Sequence, residues 1–301
     1  MFGQIVLEVA ASSHPGKIRE VNEDMAYTNG MYFNNVENPQ FSISDIQSGE
    51  LLMYSVCDGM GGENAGEKAS YAAVKLLDDF CKGLQEIKNI NQLIDHLKIY
   101  IKQANDKIYS LWADSTEGRM GTTFAGLAVC GKKAVALNLG DSRVYIIRKG
   151  SLSQITNDHT EAERLASMGL IARDQIESHK GRNILTRHFG TTPEEGIMEA
   201  DYSNIMKLKK DDMFLLCSDG LTDMVDHNRI KQLLDKKVEV LEIGRMLIEE
   251  ALINGGIDNV TVVLLRVKGF CYLPDIFRIS GRLKTCLANL MKSRKLYKAR
   301  N

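Results

Sequence analysis

Two periodicities take turns along this chain, and their order restricts the fold more than any single residue does. Between Asn64 and Gly83 the apolar residues Ala65, Ala69, Ala72, Ala73, Leu76, Leu77 and Phe80 recur at helical spacing, and Ile90, Leu93, Ile94, Leu97, Ile101, Ala104, Ile108 and Leu111 repeat the pattern. Both segments are predicted to be long amphipathic helices that cover a core. Short apolar runs predict strands over 3–11, through Tyr54–Cys57, and over 121–131, 133–139 and 143–148, the last three as an antiparallel meander. Strands are expected again near 197–205 and 212–218, helices near 227–236 and 239–253, and a closing strand over 259–267. Strand groups interleaved with helix pairs argue for α+β with packed antiparallel sheets and against a parallel βαβ sheet.

The connecting segments carry weaker signals. Residues 29–50, rich in Asn, Ser and Gln, read as a loop insertion or a poorly ordered hairpin. Asp158-His159-Thr160-Glu161 matches a capping box with Asp158 at the N-cap, opening a short helix through Met168, so His159 reads as structural. Residues 169–195 carry Arg173, His179, Lys180, Arg182, Arg187 and His188 without an evident structural partner. That composition suits a flap beside an anionic ligand.

Composition narrows the function classes. With 301 residues and 44% hydrophobic content the chain is long enough for one large domain or two small ones. A net charge of −1 provides no whole-molecule field to select nucleic acid. The six cysteines lie mostly in apolar runs without Cys-x-x-Cys pairing, as in a reduced cytosolic protein, and none has an arginine six residues downstream to cradle a phosphate. The N-terminus lacks a basic leader and no apolar run reaches membrane-spanning length.

Asp58 follows the apolar strand Tyr54–Cys57 and precedes a glycine-rich stretch. A carboxylate there needs a positive partner, and glycines let backbone carbonyls approach the same cation. An Asp-Gly hairpin turn explains Asp58 alone equally well. Three more acids stand at expected strand ends, however: Asp141, Asp219 and Asp258. Acids from separate strands suit hard divalent cations such as magnesium and manganese. Arg19, near Glu23 and Asp24, either grips two phosphate oxygens or forms a surface ion pair.

These motifs, taken in order, resemble the metal-dependent protein phosphatases of type 2C, bacterial branch. The matching pieces are Arg19 to Asp24, Asp58 to Gly66, Gly121-Thr122-Thr123, Gly140 to Arg143, Asp158-His159, Leu185-Thr186-Arg187, Ser218-Asp219-Gly220 and Asp258-Asn259, between about Ile5 and Val267. The resemblance implies a four-layer αββα sandwich, two antiparallel β-sheets flanked by helix pairs, as a catalytic domain over 1–267. It implies that Asp58 bridges two Mn²⁺ or Mg²⁺ ions, that the Gly59 carbonyl and Glu23 help hold one, and that Asp219 and Asp258 hold the other. Asp24 matches a supporting ligand, Asp141 an acid that helps bind a third ion, and Arg19 the phosphate-binding arginine.

The implied chemistry is hydrolysis of protein phosphoserine and phosphothreonine by a metal-activated water, opposing a cognate kinase in the cytoplasm. Relatives often carry a histidine where Glu63 or Met60 stands here, so the proton donor to the leaving group remains open among a metal-bound water, His14 and His159. A catalytically silent binding module on the same fold and a phosphatase of small phosphate esters are the alternatives. Residues 268–301 lie outside the resemblance and read as a basic amphipathic tail. Such a tail fits an anionic membrane surface, an acidic partner, or docking on the catalytic domain.

Overall fold

The computed structural model describes residues 4–32, 40–61, 65–84, 87–113, 118–195 and 198–271. One sheet runs in the order β3 (Phe41–Gly49), β1 (Gln4–His14), β13 (Val260–Cys271), β12 (Met213–Cys217), β8 (Arg143–Arg148) and β9 (Ser151–Gln154). The other runs β10 (Asp201–Tyr202), β7 (Lys133–Leu139), β6 (Phe124–Cys130), β4 (Leu51–Gly61) and β2 (Asp24–Thr28), with β11 (Met206–Lys207) on β7 and β5 (Met120–Thr122) on β4. All of these pairings are antiparallel.

The strand sequences explain the layering. Successive side chains point to opposite faces, so a strand apolar at every position is covered on both. On β4, Leu52, Tyr54 and Val56 enter a core between the two sheets, whereas Met53 and Cys57 face α1 (Ala65–Gly83) and α2 (Ile90–Ala113). On β13, Val263, Leu265 and Val267 meet the same inter-sheet core, and Val262 and Leu264 face α5 (His227–Leu234) and α6 (Val240–Ile253). The result is the expected αββα sandwich, with two shorter helices, α3 (Glu161–Ser167) and α4 (Asp219–Thr222), at its connections.

Five local expectations change. The strand at 143–148 does not continue the meander: after the β6/β7 hairpin the chain turns through Gly140 (φ 99°) and β8 joins the opposite sheet between β12 and β9. Within 29–50, Phe41–Gly49 is an edge strand on β1, whose Phe41 and Ile43 reach the inter-sheet core; its alternation with serines is legible only once β1 is beside it. The N-cap of α3 is Thr160, whose side chain accepts from Glu163 N, leaving the Asp158 carboxylate to receive Arg143. The region expected as one strand near 197–205 pairs with β7 as two short pieces, β10 and β11. The closing strand runs past Val267 to Cys271, which pairs with Gln4, and the expected tail helix beyond it lies outside the described residues.

Candidate active site

The acids gather at one end of the inter-sheet layer, and strand register puts the first two there. Ala26 on β2 and Val56 on β4 face the inter-sheet core, so two-residue alternation turns Asp24 and Asp58 to the same face, directly opposite each other across the β2/β4 ladder. Asp58 does not end its strand. Up to Val56 the strand pairs with β6, and from Gly59 it pairs with β5. At this change of partner Asp58 is held through both of its backbone polar groups: its N–H donates to Thr123 Oγ1 at 2.9 Å, and its carbonyl accepts Thr123 N at 2.9 Å and Thr122 Oγ1 at 2.9 Å.

Glu23 is positioned by close backbone contact. Gly59 N donates to the Glu23 carbonyl at 3.2 Å, and Ser70 Oγ donates to the same oxygen at 2.6 Å. A Cβ on Gly59 would lie 2.1 Å from the Gly66 carbonyl oxygen, and one on Gly66 2.6 Å from Glu23 Oε1. The glycines of this motif therefore let β4 and the start of α1 close around Glu23. Its carboxylate receives the backbone N–H groups of Gly66 and Glu67 at the N-terminus of α1, yet loss of water still raises its pKa.

Asp24 is fully buried and rests on a hydroxyl relay: Ser218 Oγ donates to Asp24 Oδ2 at 2.7 Å and accepts Thr261 N at 3.0 Å. Asn259 links three loops, accepting Glu23 N at 2.8 Å and donating to the Pro15 and Val21 carbonyls at 2.9 Å each. Asp258, immediately before β13, pairs with Arg19 Nη2 at 2.8 Å; the two side chains are 40% and 53% exposed, so both reach solvent. Asp219 opens α4 directly after β12, and Asp141 follows the Gly140 turn after β7.

Crowded carboxyls in a poorly hydrated place resist ionisation. Loss of water, then the charges of Asp219 and Asp258, push Asp24 up to about 7. Loss of water, then the charges of Asp219 and Asp158, raise Asp141 to about 8; loss of water, then Asp223 and Asp258, raise Asp219 to about 6; and loss of water, then Asp24, Asp219 and Asp141, raise Asp58 well above the usual carboxylate range. Asp24 Oδ1 and Asp219 Oδ1 are buried without a hydrogen-bond partner among the described residues. Arg19 is held in its charged form chiefly by Asp258, with smaller contributions from Glu23 and Asp58. Among the described residues no three His, Cys, Asp or Glu side chains form a ready-made ligand cage.

Asp24, Asp58, Asp141, Asp219 and Asp258 lie near enough to act on one another's charge, and the structure adds contacts that sequence reasoning passed over, from Thr123, Ser218, Asn259 and Ser70. Ser218 and Asn259 stand beside Asp219 and Asp258 in the chain, which was the available signal. His159 has a structural role, as expected. Its Nδ1 accepts Gly140 N at 3.2 Å, its carbonyl accepts Thr186 N at 2.8 Å, and its Nε2 lies 3.1 Å from Asp201 without hydrogen-bond alignment. It is 7% exposed. The arginines of the flap do have structural partners: Arg173 meets Glu163 at 3.1 Å, Arg182 meets Asp223 at 2.5 Å and Arg187 meets Asp201 at 2.7 Å.

Comparison with known proteins gives a consistent result. Residues 40–251 match the family model described as Protein phosphatase 2C. A serine/threonine phosphatase, stp, of Listeria welshimeri is 34% identical over 252 residues, spanning 83% of this chain and 92% of that protein. The solved serine/threonine phosphatase of S. agalactiae superposes with a TM-score of 0.74 at 27% identity, covering 87% of this chain and 100% of the other. The catalytic domain of the serine threonine protein phosphatase PstP, solved in complex with two manganese ions, superposes with a TM-score of 0.71 at 30% identity, covering 88% and 100%. With two antiparallel sheets, flanking helices and acids gathered between the sheets, the chain belongs to the protein phosphatase 2C family, in its bacterial branch, and is a protein serine/threonine phosphatase.

Proposed function

We propose that Glu23, Asp24, Asp58, the Gly59 carbonyl, Asp141, Asp219 and Asp258 together hold two or three Mn²⁺ or Mg²⁺ ions, and that phosphoserine and phosphothreonine of protein substrates are hydrolysed there. The observation that carries this reading is the convergence of carboxyls that raise one another's pKa, with two buried oxygens lacking a hydrogen-bond partner among the described residues. Divalent cations complement both the excess negative charge and the all-oxygen donor set. The manganese reported for PstP is consistent with it. Ions bound there would lower the pKa of a coordinated water toward neutrality and offset charge on the transferring phosphoryl group.

The chain's own residues handle substrate and geometry. Arg19 presents a half-exposed guanidinium suited to two phosphate oxygens, and Asp258 keeps it aimed. Ser218 and Thr123 hold Asp24 and Asp58 in place. A phosphocysteine route is disfavoured: burial pushes the Cys57 thiol far above neutrality and the Cys217 thiol up to about 12. Reduced, buried cysteines fit a cytoplasmic setting, with a serine/threonine kinase as the opposing enzyme.

Asp219→Asn tests the reading, because it removes charge at nearly constant shape. Calorimetry with Mn²⁺ should show the loss of at least one binding event, and phosphopeptide turnover should fall by on the order of a hundredfold or more. Full turnover of this variant in chelator-treated buffer would exclude the metal centre.

A further inference from the structure

A second concave surface lies beside the acids. Between α1 and α2 a groove of about 510 Å³ has an apolar floor of Ala72, Leu76, Leu111 and Met120. Its rim carries Lys68, Lys75 and Lys107 against one acid, Asp79, and Lys75 Nζ stands 6.0 Å over the Tyr71 ring. The groove starts at the catalytic end of the molecule. Met120 pairs with Gly61 on the strand that carries Asp58, and Lys68 follows Glu67, whose N–H donates to the Glu23 carboxylate.

We propose that this groove is a docking subsite for protein substrates, taking an apolar side chain flanked by acidic residues at a distance along the chain from the phosphorylated residue. The proposal rests on the phosphoprotein reading of the catalytic site and adds a substrate preference to it. Charge selects the occupant. Lys75 and Lys107 at the rim favour an acidic segment, and the apolar floor requires a side chain to cover it. The same charge argues against residues 272–301 of this chain, which carry Lys and Arg throughout their length. A groove continuous with the catalytic end lets one extended segment engage both sites, and the second contact then forms at high effective concentration.

The test uses the full chain and phosphoserine peptides in which a Glu-Leu-Glu cluster is set at increasing Gly-Ser spacings from the phosphoserine, with Gly-Ser-only peptides and p-nitrophenyl phosphate as references. The probe variant is Lys75→Glu with Lys107→Glu, two exposed positions away from the acid cluster. At a favoured spacing the wild type should show a lower KM for the cluster peptide than for the Gly-Ser peptide, and the variant should lose about fivefold of that advantage. Its rate on p-nitrophenyl phosphate should stay unchanged. Absence of an optimal spacing, or equal effects on all three substrates, overturns the docking proposal while leaving the catalytic reading intact. Turnover of p-nitrophenyl phosphate without turnover of any phosphopeptide removes both. Salt-sensitive binding to vesicles containing anionic lipid that the double variant loses, with unchanged peptide kinetics, assigns the rim to a membrane surface and also overturns the proposal.

Discussion

Asp24 shows how one residue can be readable by type and opaque in role. Its acidity and its place beside Glu23 mark it in the sequence, but only the fold buries it completely and seats it on Ser218 Oγ, 194 residues away. The carboxyls of this cluster make a pH prediction. Folding moves Asp24 to about 7 and Asp141 to about 8 from an ordinary 3.8, so between those limits the folded chain keeps protons that the unfolded chain releases. Their contribution to stability is complete below an ordinary carboxylate pKa and is lost as the pH rises through 7 and 8. His159 and His188, lowered by burial, work in the opposite sense below about pH 6.5. Thermal melts in chelator should therefore give a lower Tm at about pH 8.5 than at about pH 6.5, and saturating Mn²⁺ should shrink the difference by favouring the ionised carboxylates. A Tm that rises with pH in chelator would contradict this account.

At the scale of elements, long periodic segments were readable and short connections were not. Helices α1 and α2 appear within a few residues of their expected bounds, because amphipathic periodicity is written in local sequence. The crossing of β8 to the opposite sheet was hidden, since an apolar strand carries no mark of which neighbour it will pair with. Arg182 of the flap likewise looked unpartnered because its partner is remote: Arg182 and Asp223 are 41 residues apart. That pair ties the flap to the end of α4, the helix that opens with Asp219. Side chains about a third exposed make it a modest tie of about 0.2–1 kcal/mol. Arg182→Gln should accordingly speed hydrogen exchange of flap amides between Leu170 and Ile184 by up to about fivefold, with little change in global Tm. Unchanged exchange there would show that other contacts hold the flap.

For the whole molecule, the closing strand ties the two ends of the described chain together. Cys271, Phe270 and Gly269 pair with Gln4, Ile5 and Val6, and Ile5 is wholly buried. A chain cut after Val267 should lose these ladder bonds and part of the Ile5 cover, about 2–3 kcal/mol, relative to one cut after Cys271. Equal denaturation midpoints for the two would show that the extension is idle. The four-layer architecture was legible beforehand, and so was the placing of acids beside apolar runs. Periodicity records whether a segment is covered on one face or two, and a charged residue at the end of an apolar run stands out against its surroundings. Strand order, the supporting Ser218, Asn259 and Thr123, and the partners of the flap's arginines were decided only by tertiary structure. Each depends on contacts between distant segments, and local sequence specifies which faces must be buried without specifying which remote segment will cover them.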